Sequence, residues 1–342
     1  KKDVLVIESD ERYLRHTLKY FTPKYLVVTN LYRDQMTRNG HPELIYDIIK
    51  EAITDDIHLI LNTDDPLSSL YGYKRANVTY FGMDKNKFSK DVNDSVYDDG
   101  VYCPNCKHRL KYDYYHFNQI GSYKCGNCGH ERKKPQYAVT NLNLENGEMV
   151  INDKYKLMMS LKNIYTAYNL LATFAVCRLF GIKDDKIEES LNNYIIKNDR
   201  VQTFDINGKH AMLLTSKHEN SISYNQSLLY VTRENRPCTV VIIVDAVSRK
   251  YFTSETSWLW DIDFELLNNA CVEKIILAGK YVHDLITRFE YTGIDMDKVV
   301  GKENLDEMKR KRRDIETLKD ILESLQRAGP SLRKNAVQIG NG

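Results

Sequence analysis

Four cysteines, Cys103, Cys106, Cys125 and Cys128, constrain this chain more tightly than any other feature. They form two Cys-x2-Cys pairs with eighteen residues between them. That spacing fits a zinc ribbon, in which two thiolate knuckles on two hairpins complete a tetrahedron around Zn²⁺. Each knuckle carries residues that turn readily, Pro104-Asn105 in one and Gly126-Asn127 followed by Gly129 in the other. Sulfur fills all four positions, leaving none for a catalytic water, so the site reads as structural. Cys177, Cys238 and Cys271 lie scattered in apolar contexts, which suits a reducing compartment better than a disulfide framework.

The ribbon spans residues 100–134 and is rich in basic and aromatic side chains: Lys107, Arg109, Lys111, Lys124, Arg132, Lys133 and Lys134 accompany Tyr112, Tyr114, Tyr115 and Tyr123. Two readings follow. One is a nucleic-acid surface. The other is a module too small for a core, which packs its hairpins with tyrosines and solvates them with basic chains. The whole chain carries 49 basic and 47 acidic residues, a net charge of +2. It therefore has no global field to recruit nucleic acid or an anionic membrane, which favours the second reading.

At 342 residues the chain exceeds the roughly 250–300 at which single cores stop growing, so two domains beside the ribbon are expected. No apolar run reaches the roughly 18–20 residues that span a bilayer, and no signal peptide opens the chain, which predicts a soluble, cytoplasmic protein. The opening run Val4–Ile7 has a buried-strand pattern with nothing before it to start a fold, so a further N-terminal portion is expected ahead of Lys1.

Up to about Asp94, short apolar runs at Val4–Ile7, Tyr25–Val28, Leu59–Leu61 and Val78–Phe81 alternate with helical patterns such as Leu44–Ile53. Alternation of this kind predicts parallel strands with crossover helices. Tyr137–Lys156 reads as a hairpin around Asn146-Gly147, and helices are expected over Ser160–Phe180 and Asp184–Tyr194. A boundary near Arg200 separates domains at 1–200 and 201–342. The second opens on a hairpin, Thr203–Thr215 around Asn207-Gly208, and continues with strands at Thr239–Val244 and Lys274–Leu277. Leu305–Gln326 reads as a charged amphipathic helix and Arg327–Gly342 as irregular.

Three polar groups fall at the ends of successive candidate strands: Glu8, then Asn30 with Asp34, then Asn62-Thr63-Asp64-Asp65-Pro66. In doubly wound folds that carboxyl edge is where ligands bind, although Asn30 and Asp34 also suit helix caps. The stretches Val6–Glu11, Thr29–Arg38, Leu61–Pro66 and Tyr165–Asn169 together resemble the central domain of the Mur ligases. The ribbon lies where MurT-type members of that family carry one, and Ser257–Glu265 resembles the signature of their C-terminal domain.

The resemblance implies an α/β protein: a Mur-ligase-like parallel-sheet domain with an inserted four-cysteine zinc ribbon, followed by a Rossmann-like α/β domain. It also implies ATP-dependent amidation of the α-carboxylate of D-glutamate in the stem peptide of lipid II. Ammonia would come from glutamine hydrolysed by a GatD-like partner, with the chain acting at the inner face of the membrane. By family position Glu8 is the Mg²⁺-associated carboxylate, Asn169 and Arg200 contact the nucleotide, and Asn30 and Asp34 are lesser candidates. Glu255 matches the acid that orients the partner's catalytic histidine, with Asp245, Asp261 and Asp263 as alternatives. Lys217–Asn220 falls near the acceptor substrate. On this reading the chemistry lies away from the ribbon.

The sequence also departs from the family pattern. Gln35 stands where many Mur ligases place histidine, and Thr166 replaces an asparagine of the nucleotide-binding helix. No Gly-x-x-x-x-Gly-Lys-[Ser/Thr] loop occurs, a gap assigned to the expected N-terminal portion. Glu255 keeps a structural alternative, the start of a helix turn beside Trp258, and Trp258 and Trp260 suit either a core or an interface. Two other functions stay open: a zinc-ribbon adaptor for nucleic acid or protein, and a ligase like folylpolyglutamate synthetase.

Overall fold

A computed structural model describes residues 4–194, 201–206, 209–217, 219–233, 236–244, 255–303 and 335–340. The chain divides into two compact units, Lys1–Tyr32 with Asn39–Ile196, and Arg33–Arg38 with Lys197–Gly342.

The first unit opens with α1 (Leu14–Thr17) and β1 (Tyr25–Val28). After the short turn α2 (Met36–Asn39), of which all but Asn39 belongs to the second unit, comes α3 (Pro42–Ala52), which starts on Pro42, where a missing amide costs nothing. Then come β2 (His58–Asn62), α4 (Pro66–Leu70) and β3 (Val78–Met83). The ribbon supplies β4 (Leu110–Phe117) and β5 (Ile120–Cys125). It is followed by β6 (Tyr137–Asn143), β7 (Glu148–Ile151), β8 (Tyr155–Met158), α5 (Ile164–Leu179) and α6 (Asp184–Asn192). The main sheet runs β1-β2-β3-β6-β7-β8, parallel across its first four strands and antiparallel across the last three. Leu59, Ile60 and Leu61 of β2 are fully buried, the continuous apolar run expected of a strand covered on both faces. α5 starts later than its apolar run because Asn163 caps it, accepting the Thr166 amide at 2.8 Å.

Val4–Ile7 is not a strand. These side chains are 47–86% exposed, and among the described residues no strand pairs with them. An apolar run specifies a strand only where a neighbour offers the complementary amides and carbonyls.

The second unit begins with β9 (Val201–Ile206) and β10 (Lys209–Thr215), the expected hairpin, and continues through α7 (Ser221–Arg233) and β11 (Cys238–Val244). Two 3-10 turns, Ser257–Asp261 and Phe264–Leu267, lead to β12 (Val272–Ala278), α8 (Val282–Phe289), β13 (Val299–Lys302) and β14 (Asn335–Gly340). The sheet order is β13-β12-β11-β14-β10-β9. The strands β11 to β13 are parallel, as in a Rossmann-like unit, whereas β14 pairs antiparallel with both β10 and β11. The expectation of an irregular C-terminal stretch therefore fails at 335–340. Two waiting edges give this short segment a ladder on each side, which its composition could not reveal. The expected helix over Leu305–Gln326 lies outside the described residues.

Buried Arg288 of α8 donates to Leu259 O at 3.3 Å and Ile262 O at 2.8 Å, and pairs with Glu265 at 2.8 Å, so it secures both 3-10 turns. A second clamp joins α7 to those turns. Asn225 Nδ2 donates to Asp263 Oδ2 at 2.6 Å while the Asp263 amide donates to Asn225 Oδ1 at 2.9 Å, both residues being buried. Asp263→Ala strands the Asn225 amide and should destabilise this unit by about 2 kcal/mol. A urea midpoint equal to that of the parent would refute this.

Candidate functional site

The carboxyl ends of β1, β2 and β3 are tied together around two adjacent, fully buried acids, Asp64 and Asp65. Asp64 Oδ1 accepts Arg132 Nε at 2.6 Å, and its Oδ2 accepts both the Met83 amide and the Tyr168 hydroxyl at 2.6 Å. The Arg132 side chain is 14% exposed, so this ion pair is shielded from water. Removing one partner of such a pair costs roughly 3–5 kcal/mol, because the other is left charged in a low dielectric. Gly82 of β3 makes the approach feasible, since a Cβ there would sit 2.5 Å from Asp64 Oδ1.

Asp65 looks the other way. It caps α4 through the Leu67 amide at 3.1 Å, accepts the Ser68 hydroxyl at 2.5 Å, and accepts the Leu31 amide from the end of β1 at 2.8 Å. Burial pushes its carboxyl up to about 6, although the hydrogen bonds from Ser68, Leu31 and Leu67 favour the anion.

The ribbon closes over these strand ends. Met83 O accepts Arg132 Nη2 at 2.9 Å, His116 Nε2 at 3.1 Å and the Tyr114 hydroxyl at 3.3 Å. Gly121 N donates to Asp64 O at 2.9 Å, Gln119 Nε2 to Leu31 O at 2.9 Å, and His130 Nε2 to Pro66 O at 2.9 Å. The Thr63 hydroxyl donates to Lys133 O at 2.8 Å and accepts the Lys133 amide at 2.7 Å. Tyr123 hydrogen-bonds Ser69. Burial pushes His116 and His130 toward the neutral form, consistent with donation to carbonyls.

The four cysteine sulfurs lie within 4.8 Å of one another, with Cys106–Cys125 at 3.4 Å and Cys103–Cys128 at 3.6 Å. A tetrahedral Zn–S length of about 2.3 Å sets sulfurs roughly 3.8 Å apart, so the cluster fits zinc. The two knuckles repeat one geometry. Cys103 N donates to His108 O and Cys125 N to His130 O, each at 2.7 Å. The residue after each second cysteine is left-handed, Gly129 at φ 72° and Lys107 at φ 62°. An amide hydrogen bond from His108 leads the contacts that pull the Cys106 thiol down to about 5, which favours thiolate.

The other expected site residues fall into several groups. Asn30 is half-buried beside Leu31, and Asn169 is exposed beside Tyr168, so each adjoins a residue bound to the acid pair. Glu8 is exposed in the segment before α1. Asp34 belongs to the second unit, where it accepts Lys217 Nζ at 2.5 Å and Asn220 Nδ2 at 3.0 Å. Its neighbour Arg33 pairs with Asp261 at 2.6 Å. Glu255 is exposed; its carboxylate accepts the Ser257 amide at 2.8 Å, and hydrogen bonding from the Ser257 hydroxyl, then from that amide, lowers its pKa. Trp258 is buried and Trp260 is 46% exposed. Arg200, Asp245 and His218 lie outside the described residues.

Asp64 and Asp65 entered the sequence reading only as part of a strand end, and Arg132 only as one of several basic residues. The Arg132–Asp64 pair spans 68 positions, beyond any local pattern. The buried Tyr114 and Tyr123 favour the packing reading of the ribbon aromatics.

A family model described as MurT ligase C-terminal matches residues 218–323. Over 305 residues, 89% of the chain and 68% of the relative, the sequence is 32% identical to the MurT subunit of lipid II isoglutaminyl synthase (glutamine-hydrolyzing) of Staphylococcus aureus strain COL. It is 28% identical over 314 residues to the Streptococcus pneumoniae R6 subunit of the same name, covering 90% of this chain and 68% of that one. Two solved structures share the fold. A pseudomurein peptide ligase type C from Methanothermus fervidus has TM-score 0.62 at 21% identity, covering 87% of this chain and 56% of its own. MurF from Acinetobacter baumannii has TM-score 0.57 at 10% identity, covering 93% and 56%. The chain thus spans about two thirds of these relatives and just over half of these structures. With its four-cysteine ribbon and its Mur-ligase fold, the chain belongs to the MurT family of Mur ligases.

Proposed function

We propose that this chain is the synthetase subunit of a glutamine-dependent lipid II isoglutaminyl synthase, acting in peptidoglycan synthesis. It uses ATP to amidate the α-carboxyl of D-glutamate in the stem peptide. The observation that carries this reading is the 32% identity running through 305 residues of both units, ribbon included. A carboxylate resists attack by ammonia, so phosphoryl transfer from ATP first converts one oxygen into a leaving group. Ammonia then adds to the carbonyl carbon, and phosphate departs with that oxygen.

Within the first unit the carboxamides of Asn30 and Asn169 adjoin residues bound to the acid pair at the carboxyl edge of a parallel sheet, the edge at which nucleotides bind in such folds. An exposed carboxylate such as Glu8 is a hard oxygen ligand that suits Mg²⁺. Asn30 and Asn169 would contact the nucleotide and Glu8 would serve Mg²⁺. Asp34, already engaged by Lys217 and Asn220, ranks behind them. Mg²⁺ would screen the phosphates, and the four thiolates would hold zinc as a structural ion. Ammonia comes from a GatD-like glutaminase subunit, and lipid II places the work at the inner face of the membrane. Among the described residues no helix is long and apolar enough to cross a membrane.

Glu255 is the residue best placed to accept the imidazole N–H of the partner's histidine. Its carboxylate is exposed and held anionic, whereas Asp261 is paired with Arg33 and Asp263 is buried against Asn225.

The overall test is lipid II amidation by the assembled complex, which should require both ATP and glutamine; failure to amidate would overturn the reading. Glu255→Gln in that complex should cut glutamine hydrolysis about tenfold or more while sparing amidation from added ammonia. Undiminished glutaminase activity would remove Glu255 from that role. Elemental analysis should find about one zinc per chain, reduced in Cys125→Ser. An equal zinc content in the variant would reject the ribbon assignment.

A further inference from the structure

Some of the ribbon's polar contacts reach α3 at Glu43, α4 at Pro66 and Ser69, and the 89–90 segment, but the densest group lies elsewhere. That group converges on the three strand ends. Arg132 and Gly121 meet Asp64, the Lys133 backbone meets Thr63, and Gln119 meets Leu31. These donors come from β5 and from the segments flanking it. All four, Gln119, Gly121, Arg132 and Lys133, lie within seven residues of Cys125 or Cys128, so the geometry of the thiolate cluster bears directly on where they point.

On the far side of the acid pair stand the residues that the proposed function uses. Asp65 holds the Leu31 amide, and Leu31 follows Asn30. Asp64 holds the Tyr168 hydroxyl, and Tyr168 precedes Asn169. Asp64 and Asp65 are themselves fully buried, so they touch no ligand and act through these neighbours. A chain of contacts therefore runs from the cysteine knuckles through Arg132 to Asp64 and the Tyr168 hydroxyl, and through the adjoining Asp65 to the Leu31 amide, the neighbours of Asn169 and Asn30.

We propose that the metal-clipped ribbon is a positioning clamp for the nucleotide site, and that Arg132 is its positioning residue. Zinc held by the four cysteines fixes β5 and its flanks. Arg132, Gly121 and Lys133 then fix the 63–64 turn, Asp64 fixes the end of β3 and Tyr168 of α5, and Asp65 with Gln119 fixes the end of β1. The part concerning nucleotide rests on the function proposed above; the mechanical part does not.

Amide hydrogen exchange on the whole protein, zinc-loaded and chelator-stripped, tests the mechanical part. Stripping the metal should speed exchange about tenfold or more at Gly121 and Lys133, and with them at Met83 and Leu31, while the β7–β8 amides Met149 and Leu157 keep their protection. Retained protection at Met83 and Leu31 once Gly121 has lost it would overturn the clamp. Arg132→Met, and Arg132→Lys as the milder variant that keeps the charge, test the residue with zinc still bound. The expected result is faster exchange at Met83 and, in the assembled complex, an ATP KM raised about tenfold with kcat changed less, Lys lying between Met and the parent. Unchanged exchange and KM in Arg132→Met would overturn the role. If the parent complex does not amidate, the functional reading fails, and the exchange experiment still decides the clamp.

Discussion

The buried ion pair between Asp64 and Arg132 is the constraint on which the first unit turns. Neither charge survives alone at so low an exposure, so the ribbon and the end of β2 must meet for either to fold without penalty. Around the pair, the Met83 amide and carbonyl, the Tyr168 hydroxyl and the Gly121 amide all find partners. Such a network is worth more than its separate bonds, because each contact holds the next in place. It also explains why a small two-stranded ribbon can be tolerated as an insertion. The metal site orders the ribbon, and the ribbon closes over the carboxyl edge of the sheet.

The second unit uses a different device. Its sheet joins three parallel strands to an antiparallel set through β14, which pairs on both sides. The segment resembling the MurT C-terminal signature does not form an α-helix. It forms two 3-10 turns secured from below by Arg288 and from α7 by Asn225. Within it Asp263 is consumed by the fold and Asp261 by Arg33, while Glu255, two residues before it, stays at the surface with its anion supported by Ser257. Three acids of similar composition thus have three separate fates, set by burial and by neighbouring donors.

The local grammar of the chain was legible. β1 occupies Tyr25–Val28 as its apolar run predicts, the Asn146-Gly147 and Asn207-Gly208 signals each lie between antiparallel strands, and the cysteine spacing gathers four sulfurs. These features depend on periodicity, turn chemistry and ligand spacing, all of which act over a few residues. Val4–Ile7 and 335–340 were misread for a shared reason: whether a segment becomes a strand depends on which edges are available to it. That information is not local.

By itself the sequence determined the α/β alternation, the thiolate set, and through its motifs the family. It also supplied Asp64, Asp65, Arg132 and Tyr168 without saying that they belong together. Only the tertiary structure decided that Arg132 leaves the solvated basic face of the ribbon to neutralise a buried acid 68 positions away. The physical reason is that the stability of a charge is fixed by what surrounds it after folding. No run of neighbouring residues encodes that environment.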